Sequence, residues 1–130
     1  MNLLLVHPTE SVGRNYKDLL ESFGYTVMLT DSGHAALGLY RMNSFDLVMT
    51  ALRLDQPTMA SGELAEWIRK IDAGLRRTQQ IPIVLLTRDL GNLKKRFVEI
   101  QLVLLEPLQV AHLDQISQLL ERVPRNTLSE

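Results

Sequence analysis

Short runs dominated by apolar residues alternate along this chain with stretches in which apolar residues return every three or four positions. The first pattern predicts strands, the second helices. Asn2 to Val6 reads as a strand, apolar from Leu3 onward and ended by Pro8. A helix starting at Thr9 or Glu10 follows, with Val12, Tyr16, Leu19, Leu20 and Phe23 on one face and Gly24 as its stop. Tyr25 to Leu29 is a second strand. Asp31 and Ser32 are candidate caps for a helix from His34 to about Met42, whose inner face is Ala35, Ala36, Leu39 and Tyr40.

The middle of the chain repeats the alternation. Asp46 to Thr50 is a third strand, and its unbroken core Leu47-Val48-Met49 suits a strand covered on both faces. Leu52 to Ser61 reads as a loop with a turn signal at Asp55-Gln56-Pro57. A third helix over about Gly62 to Leu75 presents Leu64, Ile68, Ile71 and Leu75, with Trp67 read as part of the core beside them. Ile81 to Leu86 is a fourth strand, with Thr87 at its end. Leu90, Leu93 and Phe97 suggest a short fourth helix. Ile100 to Leu105 is a fifth strand, closed by Glu106-Pro107. Val110, Leu113, Ile116, Leu120 and Val123 stripe a fifth helix. Residues 1–123 form the expected domain, and 124–130 a polar tail or the start of a linker.

A strand–helix unit repeated five times implies a parallel sheet with helices on both faces. The expected architecture is a flavodoxin-like doubly wound α/β/α sandwich with strand order 2-1-3-4-5. Its switch point lies between the first and third strands. A ligand would therefore sit near Val6 to Pro8 and Thr50 to Leu52, with Thr87 and Glu106 as neighbours.

Composition narrows the function. The 130 residues carry a formal net charge of -1, so no broad field favours nucleic acid or a membrane surface. There are no cysteines, which removes disulfides, thiolate metal sites and thiol nucleophiles. The apolar opening is too short for a signal peptide or a span, and a cytoplasmic location is the expectation. Pro8-Thr9-Glu10-Ser11 follows the first strand where a glycine-rich phosphate loop would stand, with only Gly13 nearby. No Ser-His-acid motif is visible, and His7, His34 and His112 are scattered. His7 and Glu106 alone are too few for a metal site. Neither catalysis nor a bound cofactor is expected.

Several stretches together resemble the receiver domain of bacterial two-component response regulators. They are LLLVHP, the helix ending in ESFGY, the TDSGHAAL turn, FDLVMTALRL, IPIVLLT and LEPL. The resemblance runs from Asn2 to about Val123 and rests on their order and spacing. Receivers hold Mg²⁺ with two acids after the first strand; here His7 and Pro8 stand there. The phosphoacceptor aspartate aligns with Ala51. Thr87 matches the Ser or Thr ending strand four, and the Lys-Pro pair after strand five is Glu106-Pro107. Val103 stands at the aromatic switch position.

These departures oppose the chemistry that the resemblance implies. Mg²⁺ needs hard oxygen ligands, which imidazole and proline do not supply. Alanine carries no nucleophile. Glu106 would repel phosphate oxygens that a lysine attracts. The expectation is a pseudo-receiver of the phosphorelay class, acting by protein–protein interaction. Its partner would be a second copy, a kinase, an adaptor or an output domain. In this family the fourth helix, fifth strand and fifth helix form the face for dimers and targets, which draws attention to Lys94, Lys95, Arg96 and Val103. Arg88 or His7 is expected to approach Glu106 and fill the vacated pocket. The rival readings are a relic that binds a small molecule or metal, and phosphorylation at a non-standard residue such as Asp55.

Overall fold

A computed structural model describes residues 1–51, 61–77, 80–88 and 100–122. In chain order the elements are β1 (Asn2–Val6), α1 (Glu10–Ser22), β2 (Thr26–Thr30), α2 (Gly33–Met42), β3 (Leu47–Ala51), α3 (Ser61–Gly74), β4 (Ile83–Thr87), β5 (Leu102–Leu105) and α4 (Val110–Arg122). The expected helix around Leu90 to Phe97, with Lys94, Lys95 and Arg96, lies outside the described residues. So do Asp55 and the tail. No described helix is long and apolar enough to cross a membrane.

The five strands are parallel in the order β2-β1-β3-β4-β5, as the alternation predicts. Leu3 sits opposite Val27 and Leu47, and Val48 opposite Ile83, which fixes the central register. All five residues of β3 and of β4 are buried. Helices cover both faces. Leu3, Leu5, Leu47, Met49, Val84 and Leu86 pack with Tyr16 and Leu20 of α1 and with Leu113 and Ile116 of α4. On the other face Leu4, Val6, Val48 and Ile83 meet Ala36 and Tyr40 of α2 and Leu64 and Ile68 of α3. Period-two alternation in β1 thus feeds two separate cores.

Local chemistry sets the helix ends. Beyond α1, Gly24 takes φ +97°. Its N–H donates to Glu21 O and that of Tyr25 to Leu20 O, the paired bonds of a Schellman stop. Ser32 Oγ accepts from Ala35 N–H and caps α2. The Arg77 guanidinium donates to the carbonyls of Tyr40 and Arg41 at the other end of α2. Tyr40 also donates to the buried Asp72 carboxylate of α3 at 2.7 Å. Burial, then this acidic partner, pushes the Tyr40 phenol well above its usual range. Arg69 and Arg77 lie 3.7 and 3.5 Å from Asp72, so the buried charge is paired.

Three helix faces differ from the periodic reading. Ala35 is exposed, and Leu37 packs instead beside Ala36 and Tyr40. Phe23, at the C-cap of α1, is 53% exposed, and Leu75 falls past the end of α3. Trp67 is 47% exposed rather than core, with Lys70 Nζ 4.6 Å above its ring. The i, i+3 spacing lets a cation cover that ring from its own helix.

Candidate functional site

The carboxyl ends of β1, β3, β4 and β5 lie together at one end of the sheet. Each strand delivers one residue there: His7 one past β1, Ala51 ending β3, Thr87 ending β4 and Glu106 one past β5. Backbone bonds hold the two outer ones in place. His7 N–H donates to Thr30 O at 3.0 Å, and Glu106 N–H to Thr87 O at 2.7 Å. The Glu106–Pro107 bond is cis, as the resemblance implied, and Pro107 itself is exposed.

His7 and Glu106 meet side chain to side chain. His7 Nε2 lies 2.9 Å from Glu106 Oε1, with only 3% and 8% of the two side chains exposed. β1 and β5 are three strand intervals apart, about 14 Å at ordinary spacing. The pair therefore reaches across the carboxyl ends of β3 and β4, the two strands between them. The His7 tautomer follows from its other nitrogen. Nδ1 accepts from Thr9 N–H at 3.1 Å, so the ring proton sits on Nε2 and is donated to Glu106. Thr9 is the N-cap of α1 and makes no side-chain cap bond. The histidine thus ties the start of α1 to the end of β5.

A third side chain completes the group. Tyr16 of α1 donates its hydroxyl to the same Oε1 at 2.8 Å. Its ring meets the His7 ring edge-on, with centroids 5.5 Å apart and planes at 87°. α1 comes this close because Gly13 faces the sheet. A Cβ there would lie 2.8 Å from a Leu29 methyl and 3.5 Å from His7 Cβ.

The electrostatics follow from these contacts. The His7 hydrogen bond, and then that of Tyr16, holds the Glu106 carboxyl below its usual range against the opposing effect of burial. Burial and the adjacent carboxylate push the Tyr16 phenol up to about 12. Arg88 is exposed and adds to the lowering of Glu106 through its field. Among the described residues no hydrogen bond or ion pair joins Arg88 to Glu106, so direct contact falls to His7 rather than Arg88.

The structure brings together His7 and Glu106 of the residues singled out in the sequence, and it adds Tyr16. Periodicity assigned Tyr16 to the core, which is correct for its ring. The missed signal was its hydroxyl, which needs a partner when buried. Ala51 is buried and joins the core cluster that holds Val6 and Leu64. Thr87 is buried beside it, and Val103 is half-buried on β5. Pro8, beside His7, offers no side-chain donor.

The donor set does not fit Mg²⁺. His7 has both nitrogens engaged, and Glu106 Oε1 already accepts two hydrogen bonds. Among the described residues no three His, Asp or Glu side chains are grouped to hold a metal ion.

No protein-family model matches the chain. It is 32% identical over 71 residues to a response regulator receiver protein of Anaeromyxobacter, covering 55% of this chain and 29% of that protein. It is 31% identical over 86 residues to the polar-differentiation response regulator DivK of Brucella ovis, covering 66% of this chain and 65% of that one. The chain thus spans less than two thirds of either relative. Among solved structures, a response regulator receiver domain from Methylobacillus flagellatus superposes with a TM-score of 0.79 at 24% identity. That match covers 92% of this chain and 98% of the other.

Proposed function

The homologues and structural neighbours of this chain are response-regulator receiver domains, and from that premise we propose that it is a receiver which signals without a phosphoryl group. The observation that carries this reading is the closed His7–Glu106–Tyr16 group over the strand ends. A carboxylate from β5 and an imidazole from β1 satisfy each other where phosphoryl chemistry would need a cation and two acids. Ala51 at the end of β3 offers no oxygen to phosphorylate. The domain would hold one conformation and act by binding protein partners, with no catalytic step of its own.

Receiver domains work by contact with kinases and output domains, and one surface here suits such contact. Among the described residues β5 pairs only with β4, and Leu105 at its end and Val110 at the start of α4 are 45% and 57% exposed. Val103 belongs to the same strand. A homodimer or a heterologous partner would bury this face. An apolar centre would supply affinity, and surrounding charges would set partner choice.

The test is intact-mass spectrometry after incubation with Mg²⁺ and acetyl phosphate. No phosphoryl adduct is expected. An adduct on any residue of the native protein, mapped by peptide analysis, would overturn the reading.

A further inference from the structure

The end of the sheet remote from His7 and Glu106 carries a second pattern. All five strands are parallel, so the helices between them run back, and α1, α2 and α3 end where the strands begin. Each of these three ends bears an exposed apolar side chain. Phe23 follows α1 at 53% exposure, Met42 closes α2 at 84%, and Leu75 follows α3 at 49%. Met1, ahead of β1, is 45% exposed. Half of the eight large apolar side chains exposed among the described residues therefore lie at one end of the molecule.

Hydrogen bonds make these corners neighbours. Thr26 N–H, shortly after Phe23, donates to Met1 O. Asn2 Nδ2 donates to Ser44 O, shortly after Met42. Arg77 Nη2 donates to Arg41 O, which joins the turn after α3 to the end of α2. The helix ends are also closed from within. α1 stops in the Schellman pair at Gly24. α3 stops in another: Arg77 N–H donates to Asp72 O and Arg76 N–H to Ala73 O, with Arg76 at φ +56°. Asn43 Nδ2 and the Arg77 guanidinium take the carbonyls of Leu39, Tyr40 and Arg41 at the end of α2. These carbonyls keep their partners when water is withdrawn, as contact with hydrocarbon requires.

The spread of the apolar tips selects what they meet. α1 covers one face of the sheet, and α2 and α3 the other. The tips therefore stand on both sides of the sheet, with exposed polar positions such as Ser22 and Ser44 between them. A protein partner or a second copy needs a continuous apolar centre. A bilayer takes each tip separately and leaves the polar positions in its headgroup layer. Arg41 and Arg76 are exposed beside Met42 and Leu75, where their stems can lie along lipid and their heads reach phosphate. Glu21 and Asp46 are exposed at the same end, so apolar entry carries the attachment and anionic lipid only strengthens it. We propose that this end of the domain seats on the surface of a phospholipid bilayer. Phe23, Met42 and Leu75 enter the acyl boundary, Arg41 and Arg76 sit at the phosphates, and the His7–Glu106 end points away from the membrane.

The probe is a vesicle of phosphatidylcholine containing about one quarter phosphatidylglycerol, with the bound fraction read by flotation. Half of the folded chain is expected on vesicles below ~10 mM lipid. In bicelles of the same lipids carrying a nitroxide on the acyl chain, the ¹⁵N-labelled chain should broaden at the Phe23, Met42 and Leu75 amides and not at His7 or Thr87. Met42→Gln combined with Leu75→Gln, two exchanges of exposed side chains, should weaken binding at least ~10-fold. Arg41→Gln should weaken it ~5-fold on these vesicles and leave binding to pure phosphatidylcholine unchanged. Binding that is absent, indifferent to the paired glutamines, or mapped to another surface would overturn the proposal. So would concentration-dependent shifts at the same three amides without lipid, which would assign this end to a second copy.

Discussion

Replacing Glu106 by glutamine probes the closed site most sharply. Glutamine keeps the volume and one acceptor oxygen but removes the charge. Glu106 Oε1 accepts from His7 at 2.9 Å and from Tyr16 at 2.8 Å. A hydrogen bond to a charged group contributes ~1.5–3 kcal/mol and a neutral one ~0.5–1.5, so each bond weakens by about 1 kcal/mol. Relief of the buried charge offsets part of this. The expected net loss at pH 7 is ~1–2 kcal/mol. The pH dependence carries the stronger test. The carboxyl is held below its ordinary value of 4.5 in the fold, so the unfolded chain takes up the proton first as pH falls. Its stabilisation is therefore present above about pH 4.5 and is lost as pH falls through the folded value. Urea unfolding followed by far-ultraviolet circular dichroism should show a gap between native and Glu106→Gln proteins at pH 7 that narrows as pH falls below the ordinary carboxyl value of 4.5. A gap independent of pH, or a variant more stable than the native chain at pH 7, would refute the reasoning.

Tyr16→Phe removes one bond to the same carboxylate and should lose ~1–2 kcal/mol near neutral pH. Because the phenol is raised from 10.0 to about 12 in the fold, native stability should also fall as pH rises between those values, and the phenylalanine variant should fall less, keeping only the share due to the raised Tyr40 phenol; thermal melts across that range check it. Asp72→Ala strands the Tyr40 hydroxyl and leaves Arg69 and Arg77 without their buried counter-charge, for an expected loss of ~3 kcal/mol or more in urea unfolding. Gly24→Ala puts a side chain at φ +97° with open space around its Cβ, so its cost of ~1 kcal/mol in the same assay is purely conformational.

The sheet was legible because β1, β3 and β4 each carry an unbroken run of three or four apolar residues, as central strands of a parallel sheet need. Strand order followed from the alternation with helices. The His7–Glu106 approach was also foreseen in part, because an acid and a histidine at two strand ends point into one crevice. The rest was hidden where spacing and contact diverge. Trp67 stands next to the core positions of α3, yet a rotation of one residue along a helix is enough to put a ring in solvent. Asp72 looks like an ordinary surface acid until Tyr40, thirty-two residues earlier, is brought across from α2. Tyr16 has the periodicity of a core residue, and no local pattern reveals that its hydroxyl reaches a carboxylate ninety residues away.

The central claim is that this domain keeps a single conformation which no phosphoryl group switches. Recording the ¹H–¹⁵N spectrum of the native chain before and after adding Mg²⁺ and beryllofluoride, a mimic of the phosphoryl group, tests it most directly. The account predicts superimposable spectra, with the His7, Ala51, Thr87 and Glu106 amides unmoved. Saturable shifts at those amides, spreading to β5 and α4, would contradict it.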